Sequence, residues 1–279
     1  MKTWQAKILV HAYYKFVEEV VIQDVRFFRE DNQNYAVLDF ESSCLEFAEK
    51  IALEKVCSIL KAMKFVLKSE FECSIHSLNE TTEGNTLKEG FTEIEATLAV
   101  VKDFPVSSLE EINLILDKYD NADRIGKAAF DFFIDGFGIK EHNNESFINF
   151  FKSIELISNE YIDEAKEEKA IEVQETLHEL IEKLEKAILN MQQKKINNLI
   201  KQIYSLGFIE AKRKLSIVLR KLELKEYEEQ ISALPDLRNN VAHGKVEFVP
   251  ITNEQLIICE EISRNVVLNY LDKKRVSPE

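Results

Sequence analysis

The hydrophobic pattern of this chain changes regime at Pro105 and Ser107-Ser108, after which everything reads helical. Before that point apolar residues tend to alternate; after it they recur at three and four. Alternation is the pattern of a strand with one buried face, and the longer period that of an amphipathic helix. These periods predict an α+β fold. The expected division is an N-terminal mixed sheet-plus-helix domain over 1–105, a connecting helix over 106–121 and an all-α bundle over 122–279.

Residues 4–16, 19–29 and 35–41 are rich in β-branched and aromatic side chains and read as three strands joined by polar turns such as Glu30-Asp31-Asn32-Gln33-Asn34. Between Ser43 and Lys68 the apolar positions Leu45, Ala48, Ile51, Ala52, Val56, Ile59, Leu60, Met63 and Leu67 predict a helix, with Ser43 as its cap. Alternation returns at 71–78 and 91–102, on either side of a hairpin-like loop. The result is a sheet of about five strands with one helix packed on it.

Six helical stretches follow. SSLEEINLILDKY carries serine at its start and glutamates in its first turn. ADRIGKAAFDFFIDGF and residues 145–163 are amphipathic. Residues 164–190 are charged and heptad-like, the pattern of a long helix or arm whose leucines and isoleucines form a helix seam. Residues 193–222 predict a further helix, broken at Gly207, and 253–272 the last one. Seven glycines and four prolines in 279 residues fit long regular elements with few loops.

The formal net charge of −14 speaks against a dedicated nucleic-acid binder. That charge is uneven. Residues 1–150 carry 27 acids and 16 bases, whereas 151–279 carry 23 and 20. Within the second half, Lys194, Lys195, Lys201, Lys212, Arg213, Lys214, Arg220, Lys221 and Lys225 are accompanied only by Glu210 and Glu223. Such a strip either holds a phosphate backbone or is a solvated helix face. Cys44, Cys57, Cys73 and Cys259 are not spaced as a zinc knuckle or a redox pair, and read as reduced thiols of a cytoplasmic protein. No apolar run follows the first lysine and none is long enough for a membrane span, so neither a signal peptide nor a membrane partner is expected.

The most chemical stretch is Arg238-Asn239-Asn240-Val241-Ala242-His243-Gly244. Pro235 marks a helix start before it and Gly244 a stop after it. On that helix Asn239 and His243 share a face and Arg238 flanks them. Metal-free RNA cleavage needs a group to move protons at the 2′-hydroxyl and the leaving 5′-oxygen, and positive charge for the phosphorane. Histidine supplies the first and arginine's forked N–H groups the second. An arginine four to six residues before a histidine arises by chance roughly 0.4 times in a chain of this composition, so the bare spacing decides nothing. The full string is more specific.

With that string and the final amphipathic helix, residues about 122–279 resemble the HEPN superfamily, and its bacterial abortive-infection (ApeA-like) branch in particular. Arg238, Asn239 and His243 match the motif of its nucleases. FINFFKSIELIS, with Glu155, is similar to that branch's early helix, which bears an acid near the site. The resemblance implies a HEPN-like bundle acting as a metal-independent endoribonuclease of an anti-phage or toxin-type system. It implies a homodimer with a composite active site and an RNA substrate, tRNA or mRNA. No cofactor and no metal are expected. The catalytic residues would be Arg238, Asn239 and His243, with Glu155 and Asn240 as accessories. Lys194, Lys195, Lys212, Arg213 and Lys214 are the candidate RNA contacts. The N-terminal domain would sense a phage-derived trigger, answer to an antitoxin or select the RNA. Lys245 stands where toxin relatives carry a regulated tyrosine.

Structural readings stand beside these. His243 can cap a helix end, Arg238 can brace the bundle through Asp236 or Glu155, and the asparagines can be turn residues. The alternative function is a non-catalytic module that binds RNA or a protein partner. His11, His76, His142 and His178 lie in unrelated segments and read as structural or surface residues.

Overall fold

Strand β1 (Lys2–Ala12) alternates strictly enough to bury Trp4, Ala6, Ile8, Val10 and Ala12 on one face. It is followed by β2 (Tyr14–Lys15), β3 (Val20–Ile22), β4 (Val25–Glu30) and β5 (Gln33–Ser42). Helix α1 (Leu45–Leu67), β6 (Phe71–Glu80), β7 (Asn85–Glu89), β8 (Lys102–Asp103) and α2 (Leu109–Asp120) complete the first unit. The computed structural model describes residues 1–82, 85–89, 102–139, 142–205, 210–242 and 250–273. The chain divides into two units, Met1–Asn121 and Ala122–Glu279, each with its own core. The overall class is α+β.

The first unit is an antiparallel sheet in the order β3-β4-β5-β1-β6-β7, plus a short parallel pair of β2 and β8. Helix α1 packs against β5 and β6 and buries Ala48, Ala52, Val56, Ile59, Leu60 and Met63. Trp4 is 1% exposed, and its indole N–H donates to the Ser42 carbonyl at 3.4 Å. The segment expected as a connector forms α2, which packs on α1 within this unit.

Several local expectations need correction. The single strand over 19–29 is a hairpin of β3 and β4, because Gln23 takes a left-handed φ of 53° and reverses the chain. Asp31 and Asn32 do the same between β4 and β5, with φ of 48° and 64°. Ser43 does not cap α1: Cys44 occupies the cap position without a side-chain bond, while the Ser42 hydroxyl donates to the Cys44 carbonyl at 3.1 Å. Ser108 makes no cap bond either. A 3-10 turn over Val106–Ser108 has already set its backbone helical, and a capping side chain needs an extended one. The expected strand at 91–102 lies outside the described residues, except for Lys102 in β8.

The second unit consists, among the described residues, of α3 (Arg124–Gly138), α4 (Asn143–Glu160), α5 (Ile162–Leu189), α6 (Gln193–Ser205), α7 (Ala211–Lys221), α8 (Glu228–Ile231), α9 (Leu234–Ala242) and α10 (Asn253–Lys273). Asp123 caps α3 by accepting from the Gly126 N–H at 2.7 Å, and also accepts from the Tyr270 hydroxyl of α10 at 2.9 Å. Burial, with the Asp123 carboxylate beside it, pushes the Tyr270 phenol well above its ordinary range. The core joins α3, α4 and α10. Phe133, Phe137 and Phe150 form an aromatic cluster with ring centroids 5.1–5.6 Å apart. Phe150 lies so close to Gly136 that a methyl group there would meet the ring at 2.5 Å. Helices α5 and α6 form a hairpin arm whose own cluster contains Leu180, Ala187 and Leu199. The expected helix over 193–222 is thus two, α6 and α7; the break read at Gly207 lies outside the described residues. No helix among the described residues is long and apolar enough to cross a membrane.

Candidate functional site

Helix α9 begins as the sequence predicts. Its second residue is Pro235, where the missing N–H is not needed, and it buries Leu234 and Pro235 against the bundle. That anchoring leaves Asp236 and Asn239 exposed and Arg238 half-buried. The helix is described as far as Ala242. His243, Gly244 and Lys245 lie outside the described residues.

Arg238 and Asn239 form one wall of a cleft of about 350 Å³. Phe151 and Glu155 of α4 line it, as do Glu210, Ala211 and Lys212 at the start of α7, and Pro235 and Asp236 of α9. The cleft lies where α4 packs against both α7 and α9. The Arg238 Nη2 stands 3.8 Å from the Glu155 Oε2, and its Nη1 donates to the Asn239 Oδ1 at 3.4 Å. On the opposite side Lys212 Nζ pairs with Asp236 Oδ2 at 3.2 Å. All these charges are more than a third exposed, so each pair is worth no more than about 1 kcal/mol. A stronger ligand anion can displace the carboxylate partner.

Of the expected site residues, Glu155, Lys212, Arg238 and Asn239 therefore meet in one cleft. Asn240 is half-buried on α9 and is not one of its walls. The bracing reading of Arg238 and its site reading describe the same contact, since Glu155 is both its ion-pair partner and a wall of the cleft.

The basic strip divides. Lys194 and Lys195 are exposed on the α6 arm and do not line the cleft, whereas Lys212, Arg213 and Lys214 open α7. Along α7 the cations meet partners that the sequence did not pair with them. Lys214 donates to Asn159 at 3.2 Å, Arg220 holds Glu168 through two bonds of 2.8 and 3.0 Å, and Lys221 stands 3.4 Å from Glu164. The α7 part of the strip is a charge seam joining that helix to α4 and α5. The cleft is mixed rather than cationic, with Glu155, Glu210 and Asp236 beside Lys212 and Arg238.

Glu210 and the Lys212–Asp236 pair carry no local signal in the sequence, because α7 and α9 meet only in the folded bundle. The four other histidines stay away from the cleft; the His76 ring packs edge-on against Tyr35, and His178 stands 3.7 Å from Glu182 on α5. No family model, no curated protein and no solved structure matches the chain.

Proposed function

We propose that the chain is a metal-independent endoribonuclease of a bacterial anti-phage or toxin-type defence system, acting as a homodimer on tRNA or mRNA. The observation that carries the reading is the convergence of Arg238, Asn239 and Lys212 in one open cleft, with Glu155 against the guanidinium, on the helix whose sequence runs on to His243. In this reading the RNA phosphate replaces Glu155 and Asp236 as the anion facing Arg238 and Lys212. Arg238 forks two N–H bonds onto the non-bridging oxygens. His243 takes the 2′-hydroxyl proton, the 2′-oxygen attacks phosphorus, and the 5′-oxygen leaves with a proton. The products are a 2′,3′-cyclic phosphate and a 5′-hydroxyl. Two copies facing each other would supply the base from one and the acid from the other. The first unit would carry the response to a phage-derived trigger or an antitoxin.

The test is incubation of cellular RNA with the full chain in excess EDTA. Cutting that persists in EDTA, yields cyclic-phosphate ends and falls at least 100-fold in both His243→Ala and Arg238→Ala supports the proposal. Ends carrying a 5′-phosphate, or cutting untouched by either substitution, overturn it. One observation favours a second reading, a bundle that binds a protein partner without cutting: its α7 cations are already matched by acids of α5 and α9. Absence of both RNA cleavage and RNA retention selects that reading.

A further inference from the structure

The first unit holds a pair of thiols that plays no part in the cleft chemistry. Cys57 lies in the middle of α1 and Cys73 near the start of β6, and their sulfurs are 3.6 Å apart. Both are half-buried free thiols. Their approach is fixed by the packing around them. Val56 and Leu60 anchor that turn of α1 in the core, and Cys73 pairs across the sheet with Val10 of β1, on the buried face. Two sulfurs in contact need to close only to about 2.0 Å to form a bond.

Lys61 and Lys64 follow Cys57 at the next two turns of α1, so the helix sets two ammonium groups on the same side as the sulfur. The hydrogen bond with Cys73 and those two lysines lower the Cys57 thiol to about 7 despite partial burial. Cys73 moves the other way: its bond to Cys57, its burial and the neighbouring Glu72 hold it protonated. One sulfur is thus the nucleophile and the other the proton-bearing partner. A thiolate beside a resolving thiol is the arrangement that hydroperoxides oxidise selectively.

We propose that Cys57 and Cys73 form an oxidisable dithiol that takes a hydroperoxide as its substrate and closes to an intramolecular disulfide between α1 and β6. The Cys57 thiolate attacks a peroxide oxygen, the O–O bond breaks, and the departing oxygen takes a proton and leaves as water or an alcohol. Cys57 is then a sulfenic acid. The Cys73 sulfur attacks the Cys57 sulfur, the S–O bond breaks, and the hydroxide leaves as water with the Cys73 proton. The two sulfurs lose two electrons and the peroxide gains them. The bond ties the helix to the sheet where the two already touch, so it closes without unfolding.

The test uses the full chain and stoichiometric hydrogen peroxide. Thiols counted after denaturation fall from four to two, and a non-reducing peptide map joins the Cys57 and Cys73 peptides. The count falls from two to zero in the chain carrying Cys44→Ser and Cys259→Ser. In Cys73→Ser, dimedone labels Cys57 and no internal disulfide forms. The proposal is overturned if the wild-type chain keeps four thiols, or if Cys44 is consumed while both members of the pair can still be alkylated. Because the mapping is done on the wild type, misfolding of a variant does not spare it.

Discussion

Helices α3 and α4 form a hairpin, and so do α5 and α6, yet the two are held very differently. In the first, Phe130, Phe133, Phe137, Phe147, Phe150 and Ile154 are all at most 2% exposed, because α10 packs over the hairpin as a third layer. In the second, Leu180, Ala187 and Leu199 are the buried cluster, while Ile188, Leu189 and Met191 are 55%, 82% and 90% exposed. Chain length does not separate them, since α5 is the longest helix described, at 28 residues. What separates them is the number of sides on which each apolar stripe finds a partner. Two helices bury one seam; a third encloses it.

The largest effect expected from this difference is at Phe150. Phe150→Ala removes the ring that fills the space over Gly136 and should cost about 3–5 kcal/mol, read by urea denaturation with circular dichroism. Leu199→Ala in the arm should cost about 2 kcal/mol. Its signature should be local: faster amide exchange in α5 and α6, with α3 and α4 unchanged. An equal loss of protection in all four helices would erase the distinction between core and arm. Asp123→Ala removes the cap of α3 and the acceptor of the Tyr270 hydroxyl, so about 1 kcal/mol should be lost from the core, seen as a lower denaturation midpoint. The smallest effect belongs to Arg220→Ala. It breaks an exposed pair with Glu168 of the arm helix, should cost less than about 1 kcal/mol, and should vanish in high salt.

What the sequence revealed follows the range of the forces involved. The start of α9 at Pro235 is local, fixed by backbone chemistry within a turn, and the segregation of sheet from bundle follows from hydrophobic period. Ser43 and Ser108 show the limit of even local rules, since a serine in the right place does not cap unless its backbone enters the helix extended. The cleft was half legible. Arg238 and Asn239 are neighbours in sequence, and Glu155 was suggested by family likeness, but the Lys212–Asp236 pair joins helices whose contact no local pattern encodes. No spacing in the sequence pairs Cys57 with Cys73, for the same reason. Only the packing of α1 on β6 brings the two sulfurs into contact.

Trp4 is the chain's single tryptophan, and it sits fully enclosed in the sheet of the first unit. Its emission is therefore a private reporter of that unit, needing no label or truncation, while the far-ultraviolet helical signal is weighted toward the eight helices described in the second. Followed together on heating, the two signals distinguish a chain that melts in one step from one that loses its halves separately. Where the halves melt separately, a ligand of the cleft shifts the ellipticity midpoint and leaves the fluorescence midpoint where it was.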